Sequence, residues 1–239
     1  MCREITIDYI GKTRTMDTEE AILHETSVED DAKSIEEVRR GIYDAVIKGS
    51  FDVSMNFTVE GKDVLLKVTS IENTVLHIAV IYGKNDVAQK IIQKYPSLLY
   101  KTNKKGDTPL HIAASLGDLE MIKVLLEWAK GQRDIEANTP LIKTLNREKD
   151  TALHVAVRNG YDQIVDLLIA EDRGLTSLTN NAGESPLFMA VDGGFDEIAD
   201  RILKISECSY RGRKGMNVLH AAVIREDNKE TPPGLLILI

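Results

Sequence analysis

The sequence predicts an all-α solenoid built from about six stacked helix-turn-helix units. Three observations predict it. First, a four-residue phrase recurs as Thr74-Val75-Leu76-His77, Thr108-Pro109-Leu110-His111, Thr151-Ala152-Leu153-His154 and Asn217-Val218-Leu219-His220, with Ser185-Pro186-Leu187-Phe188 as a variant that replaces the histidine. The phrases start 34, 43, 34 and 32 residues apart. Second, a small residue follows each phrase, at Ala79, Ala113, Ala156, Ala190 and Ala222, and a glycine comes four positions later at Gly83, Gly117, Gly160 and Gly194. Third, apolar residues return after the glycine at helical spacing. Examples are Met121, Ile122, Leu125 and Leu126, or Ile164, Val165, Leu168 and Ile169. Spacings of three and four mark one buried stripe of a helix.

Each letter of the unit has a physical reason. Thr or Ser at the start of the phrase caps the first helix by accepting from its free N–H groups. Pro at the next position suits a first turn that needs no donor. The leucine is core, and the alanine lets neighbouring first helices approach closely. The glycine supplies the left-handed turn between the two helices. One unit cannot bury its own apolar face, so stability comes from stacking.

Stepping 34 residues back from Ala79 and Gly83 lands on Ala45 and Gly49, with Tyr43 in the histidine position, so a degenerate first unit begins near Arg40. Ser34-Ile35-Glu36-Glu37 fits a capping box that opens its first helix. The expected domain spans 34–228, with units near 40–73, 74–107, 108–150, 151–184, 185–216 and an incomplete 217–228. The 43-residue step holds about nine extra residues around Lys130 to Thr139, read as a loop insertion. Residues 1–40 carry eleven Asp or Glu against six Lys or Arg, and 1–33 lack the repeat, so they read as an acidic, disordered arm. Residues 229–239 read as a disordered tail, because Pro232-Pro233 stops a helix.

Composition narrows the function. A formal charge of −8 argues against a general nucleic-acid binder, which needs a basic face. Cys2 and Cys208 form no C-x-x-C pair, which fits a reducing compartment. The charged first residues do not form a signal peptide, and the longest late apolar run, Gly234 to Ile239, is too short to cross a bilayer. As it stands, the sequence reads as soluble and cytoplasmic.

No catalytic motif emerges. G-x-S-x-G, S-x-x-K with its partners, a phosphate-binding loop and H-x-x-x-H are all absent. The sequence therefore predicts no enzyme, no cofactor and no metal site. Histidines 77, 111, 154 and 220 occupy one position of the repeat, so the structural period explains their spacing.

The phrase and its period resemble the ankyrin repeat, whose signature is T-P-L-H-x-A at about 33 residues. The resemblance implies an antiparallel helix-pair solenoid with loops projecting as β-hairpin-like fingers, and a protein as partner. It makes Thr74, His77, Gly83, Thr108, His111, Gly117, Thr151, His154, Gly160, Ser185, Gly194 and His220 scaffold residues. It implies that each histidine bonds to its own Thr and to loop backbone. It places contacts on the fingers, at Lys104, Lys105, Asp107, Arg147, Asn181, Arg213 and Lys214, and on the first helices, at Ile81, Tyr82, Ser115, Leu116, Arg158 and Asn159. Ile71, Glu72, Asn73, Glu148, Asp150, Glu184 and Met216 complete the expected finger set. Tyr82, Ile81 and Leu116 read either as interface anchors or as packing against a neighbouring finger. The basic lean of the fingers reads as a solvated run, or as a surface for an acidic segment or an anionic leaflet.

Tyr95-Pro96-Ser97-Leu98-Leu99, Asn180 through Leu187, and Asn217 through Val223 resemble plant ankyrin–transmembrane proteins of the accelerated-cell-death type. That resemblance implies a regulator in salicylate-linked defence and cell-death signalling. Such proteins sit at the plasma membrane and carry membrane helices after their repeats. The alternative expectation is thus the cytosolic part of an integral membrane protein, associated with the membrane only through that context.

Overall fold

The computed structural model describes residues 5–9, 12–16, 35–54, 58–59, 62–131 and 140–226. The first helix, α1, covers residues 35–48. Four helix pairs and half of a fifth follow in chain order. They are α2 (Val75–Ile81) with α3 (Asn85–Lys94), α4 (Pro109–Leu116) with α5 (Leu119–Gly131), α6 (Ala152–Arg158) with α7 (Asp162–Glu171), α8 (Pro186–Gly193) with α9 (Asp196–Leu203), and α10 (Val218–Glu226). Each first helix packs on the next, α2 on α4, α4 on α6, α6 on α8 and α8 on α10, and α3, α5, α7 and α9 form a second row behind them. The core is continuous along the stack.

The expected residues build these elements. Thr74, Thr151 and Ser185 accept from the backbone N–H three residues on, and such a cap typically stabilises by about 1 kcal/mol. Ala79, Ala113, Ala156 and Ala190 have no exposed surface, which is where the first helices come closest. The turn glycines 83, 117, 160 and 194 all have positive φ, between 60° and 78°. Short 3₁₀ turns, Pro96–Tyr100 and Arg173–Ser177, close the second helices and bury Leu98, Leu99 and Leu175.

The first unit differs from the expected pattern. After Gly49 no second helix forms among the described residues. A two-residue pairing of β3 (Thr58–Val59) with β4 (Lys62–Asp63) and a 3₁₀ turn at Val64–Leu66 take its place. The sequence explains this. Phe51, Val53, Met55, Phe57 and Val59 alternate with polar residues, which is the period of a strand, not a helix.

The 43-residue step is partly absorbed by α5, which runs 13 residues against 10 for α3 and α7. Residues 132–139 of the expected insertion lie outside the described residues. So do Ser34, the expected cap of α1, and the expected tail. Within the expected acidic arm, β1 (Ile5–Tyr9) pairs antiparallel with β2 (Lys12–Met16). Residues 17–34 lie outside the description.

Candidate protein-interaction face

The fingers are built by asparagine. Asn103 Oδ1 accepts from the N–H groups of Lys105 and Asp107, at 2.9 and 3.1 Å. Asn146 does the same for Glu148 and Asp150, and Asn180 for Ala182 and Glu184, all at 3.0 Å. Each closes an Asx-type turn, which is how Asn stabilises a tight loop. The same side chains then join neighbours. Asn103 Nδ2 donates to Asn73 Oδ1 (3.1 Å), Asn146 Nδ2 to Asp107 Oδ1 (2.9 Å) and Asn180 Nδ2 to Asp150 Oδ1 (3.0 Å).

Backbone bonds run alongside, from Lys104 N to the Ile71 carbonyl, Arg147 N to Lys105, and Asn181 N to Glu148. The fingers are therefore turns linked side by side. Among the described finger residues, strand-like pairing is confined to one bridge, between Arg211 and Asn217. Close approach constrains one residue strongly. A Cβ on Gly106 would lie 2.6 Å from the Arg147 amide nitrogen, and its φ is +78°.

Histidines tie the first helices to these fingers. His77 Nδ1 accepts from the Thr74 hydroxyl (2.8 Å), while Nε2–H donates to the Asp107 carbonyl (2.9 Å). His111 repeats the arrangement with Thr108 (2.8 Å) and the Asp150 carbonyl (3.0 Å). His154 bonds Thr151 at 2.9 Å, but its buried Nε2 makes no well-formed hydrogen bond. Burial pushes His77 and His154 down to about 4 and lowers His111. Neutral imidazoles with both nitrogens engaged, as in His77 and His111, have no lone pair left for a metal. Among the described residues, no group of three or more His, Cys, Asp or Glu is placed to hold one.

Between the fingers and the first helices runs a groove of about 310 Å³. Ile71, Asn73, Asn103, Lys105, Asp107 and Asn146 line it from the fingers, and Ile81, His111, Ile112, Ser115, Val155, Arg158 and Asn159 from the helices. Eight of the contact residues expected from sequence come together here: Ile71, Asn73, Ile81, Lys105, Asp107, Ser115, Arg158 and Asn159. Several are also held from within. Ser115 Oγ donates to the Ile112 carbonyl, Asn159 Nδ2 to Val155, and Arg158 pairs at 2.7 Å with the buried Asp150 carboxylate.

Tyr82 and Leu116 follow α2 and end α4, and are 42% and 49% exposed. Tyr82 meets the Tyr43 ring edge-on at a 5.9 Å centroid distance, so it packs against the first unit's helix, not a finger. Lys104, Lys105, Arg147 and Lys214 are exposed, and none forms an ion pair within 4.0 Å among the described residues. Arg213 lies apart from them. It bonds Glu184 and, bidentately, Asp192 at 2.9 Å, and stacks over Phe188. Asn181 reaches back to the Arg147 carbonyl at 2.8 Å.

The asparagines were the main omission of the sequence reading. Their signal was available, since Asn103, Asn146 and Asn180 each stand five residues before a phrase. Ile112 and Val155, the apolar floor of the groove, were also missed. Each directly follows the histidine of a phrase, at a position to which the repeat pattern assigns no role.

Three finger positions carry a non-glycine residue in the left-handed region, Glu72, Lys149 and Lys214. Gly106 and Gly183 hold the left-handed turn in their fingers, whereas Lys149 adopts φ 57° at the equivalent place. A side chain there costs roughly 1–2 kcal/mol. Replacing Lys149 with glycine should raise unfolding stability by about 1 kcal/mol, partly offset by glycine's added freedom in the unfolded chain. Urea denaturation reads this directly, and an unchanged or lower midpoint would count against it.

A solenoid of helix pairs with a groove between hydrogen-bonded fingers and first helices defines a repeat scaffold for protein–protein interaction. The family model described as "Ankyrin repeats (3 copies)" matches residues 42–139, 76–180, 131–210 and 153–231. These overlapping matches span most of the chain, which belongs to the ankyrin-repeat family. No curated protein matches it. Among the described residues, no helix is long and apolar enough to cross a membrane.

Proposed function

We propose that the chain is an adaptor that captures a protein segment in the groove crossing units two to four. The observation that carries this reading is apolar surface left open along the groove. Ile71, Tyr82 and Leu116 are each 42–49% exposed, and all three lie in or next to the residues lining the groove. Apolar and aromatic anchors at the centre of an interface often supply most of its energy. The test is affinity purification with the intact chain and with a Tyr82→Ala/Leu116→Asp variant whose folding is checked by thermal melting. The expected result is at least a tenfold drop in co-purified partner, and undiminished capture by a folded variant would sink the reading.

The finer setting rests on the resemblance of the Tyr95–Leu99, Asn180–Leu187 and Asn217–Val223 phrases to plant ankyrin–transmembrane proteins of the accelerated-cell-death type. They support a regulator of salicylate-linked defence and cell death, acting in the cytoplasm or at the cytosolic face of the plasma membrane. The second reading makes this chain the cytosolic part of an integral membrane protein. Transcript sequencing past codon 239 separates the two, because it either finds membrane helices in frame or does not. Loss of the gene without any change in salicylate-induced responses would remove the defence role.

A further inference from the structure

We infer that the groove selects an extended protein segment that alternates acidic and aliphatic residues. The inference rests on the reading of this face as a protein-binding groove and goes beyond it by naming the chemistry of the occupant.

Charge is the first observation. The chain is acidic at −8, yet two of the three fingers that line the groove carry Lys104, Lys105, Arg147 and Lys149, and the Glu72 of the third is paired with Lys67. None of the four has an acidic partner among the described residues, whereas Arg158, Arg201, Arg213 and Arg225 are all paired. Glu148 is an exposed acid within this strip and stands against the four cations. Asp107 and Asp150 turn inward, to Asn146 and to Arg158 with Asn180. An unpaired cationic rim in an acidic protein attracts an anionic ligand and steers its approach.

Strain is the second observation, and it is independent. Lys149 keeps a side chain at a left-handed position that Gly106 and Gly183 fill in neighbouring fingers; Glu72 holds the same position in the finger of Ile71 but is tied down by an ion pair to Lys67, whereas Lys149 is exposed and makes none among the described residues. Strain held at an exposed site points to a role for the side chain that bears it.

Shape is the third. The aliphatic side chains of Ile71, Ile81 and Ile112 lie in the hollow between the fingers and the helices. A flat leaflet can reach the finger tips but not that hollow. An extended chain can do both, placing alternate side chains on the rim and on the floor.

The experiment is selection from a random twelve-residue peptide library, using the full chain as bait beside a Lys105→Glu/Arg147→Glu variant and a Lys149→Gly variant. The expected result is at least twofold enrichment of Asp and Glu among peptides that also carry Ile, Leu or Val. By fluorescence polarisation, the best of these should bind the charge-reversed variant at least tenfold more weakly, with affinity falling as salt rises. Lys149→Gly should weaken binding while raising the melting temperature, a combination that a folding defect does not produce.

Enrichment without acidic bias overturns this inference and leaves the adaptor reading standing, whereas no enrichment at all removes both. Binding of phosphatidylserine vesicles through the same lysines, without acidic peptides, overturns it in favour of a leaflet. Selection that succeeds only after Glu29→Gln, Asp30→Asn and Asp31→Asn overturns it in favour of the chain's own acidic segment. A dimer that the charge reversal dissociates assigns the face to a second copy instead.

Discussion

Acidifying the protein from pH 7 to pH 4.5 should lower its folding stability by several kcal/mol. Above 6.5 the three buried histidines are neutral in both the folded and the unfolded chain, and stability is complete. Below it the unfolded chain takes up protons near 6.5, while His77 and His154 resist until about 4. The unfolded state therefore binds more protons across this window, and stability falls as pH falls through it.

The cause is foremost burial. At His77 and His111 the carbonyl bonds to Nε2 push the other way and are outweighed. At His154 the Asp150 carboxylate favours the charged form and Arg158 opposes it. A gap from 6.5 to about 4 corresponds to on the order of 3 kcal/mol for one histidine. Two such groups draw on a total that is usually about 5–15 kcal/mol. Urea titrations at pH 7, 5.5 and 4.5 measure the slope. Replacing His77 and His154 with glutamine should flatten it, and equal midpoints in the wild type at pH 7 and 4.5 would refute the account.

Replacing Gly212 with alanine should destabilise the fifth unit by about 3 kcal/mol, at the upper end of overpacking costs. The backbone is not the reason, because φ at Gly212 is −133°, open to any residue. The obstacle is Phe188, whose ring atoms lie 2.1 Å from where the new Cβ would stand. Phe188 is fully buried and has Arg213 over its face at 5.4 Å, so it has nowhere to retreat. The damage should be specific to that contact. In a Phe188→Leu background the same glycine change should cost much less, and a double-mutant cycle by thermal or urea unfolding would show coupling above 1 kcal/mol. Additive effects would mean that the ring is not the obstacle.

The Phe188–Gly212 pair also marks the limit of what the sequence could reveal. The phrase Ser185-Pro186-Leu187-Phe188 was readable as a variant unit, because period and capping depend on residues close in the chain. That its ring needs a missing Cβ 24 residues away is a contact, and no local pattern encodes it. The same division holds elsewhere. Helix pairs, turn glycines and buried alanines were legible because they repeat at the structural period. The second half of the first unit was misread by carrying the register across residues that alternate like a strand.

At the candidate face, the exposed positions were found from the repeat, but their availability was not. Arg213 and Lys105 are both finger cations in the sequence. In the fold Arg213 is bound by Glu184 and Asp192, whereas Lys105 makes no ion pair among the described residues. Pairing depends on which finger carries an acid at the facing position, and that requires the stack.

The histidine bonds have a consequence for how such a chain can change over time. Each imidazole belongs to one unit, and the carbonyl it holds, Asp107 for His77 or Asp150 for His111, belongs to the finger leading out of it. In these two units the joint is thus closed within the unit itself, from the head of its first helix to the finger at its end. A whole internal unit can be duplicated or exchanged without leaving either half unmatched, whereas a cut within a unit cannot. Lengthening of the stack and replacement of its surface residues are therefore separable events, and a new partner can be acquired by changing finger tips while the joints stay as they are.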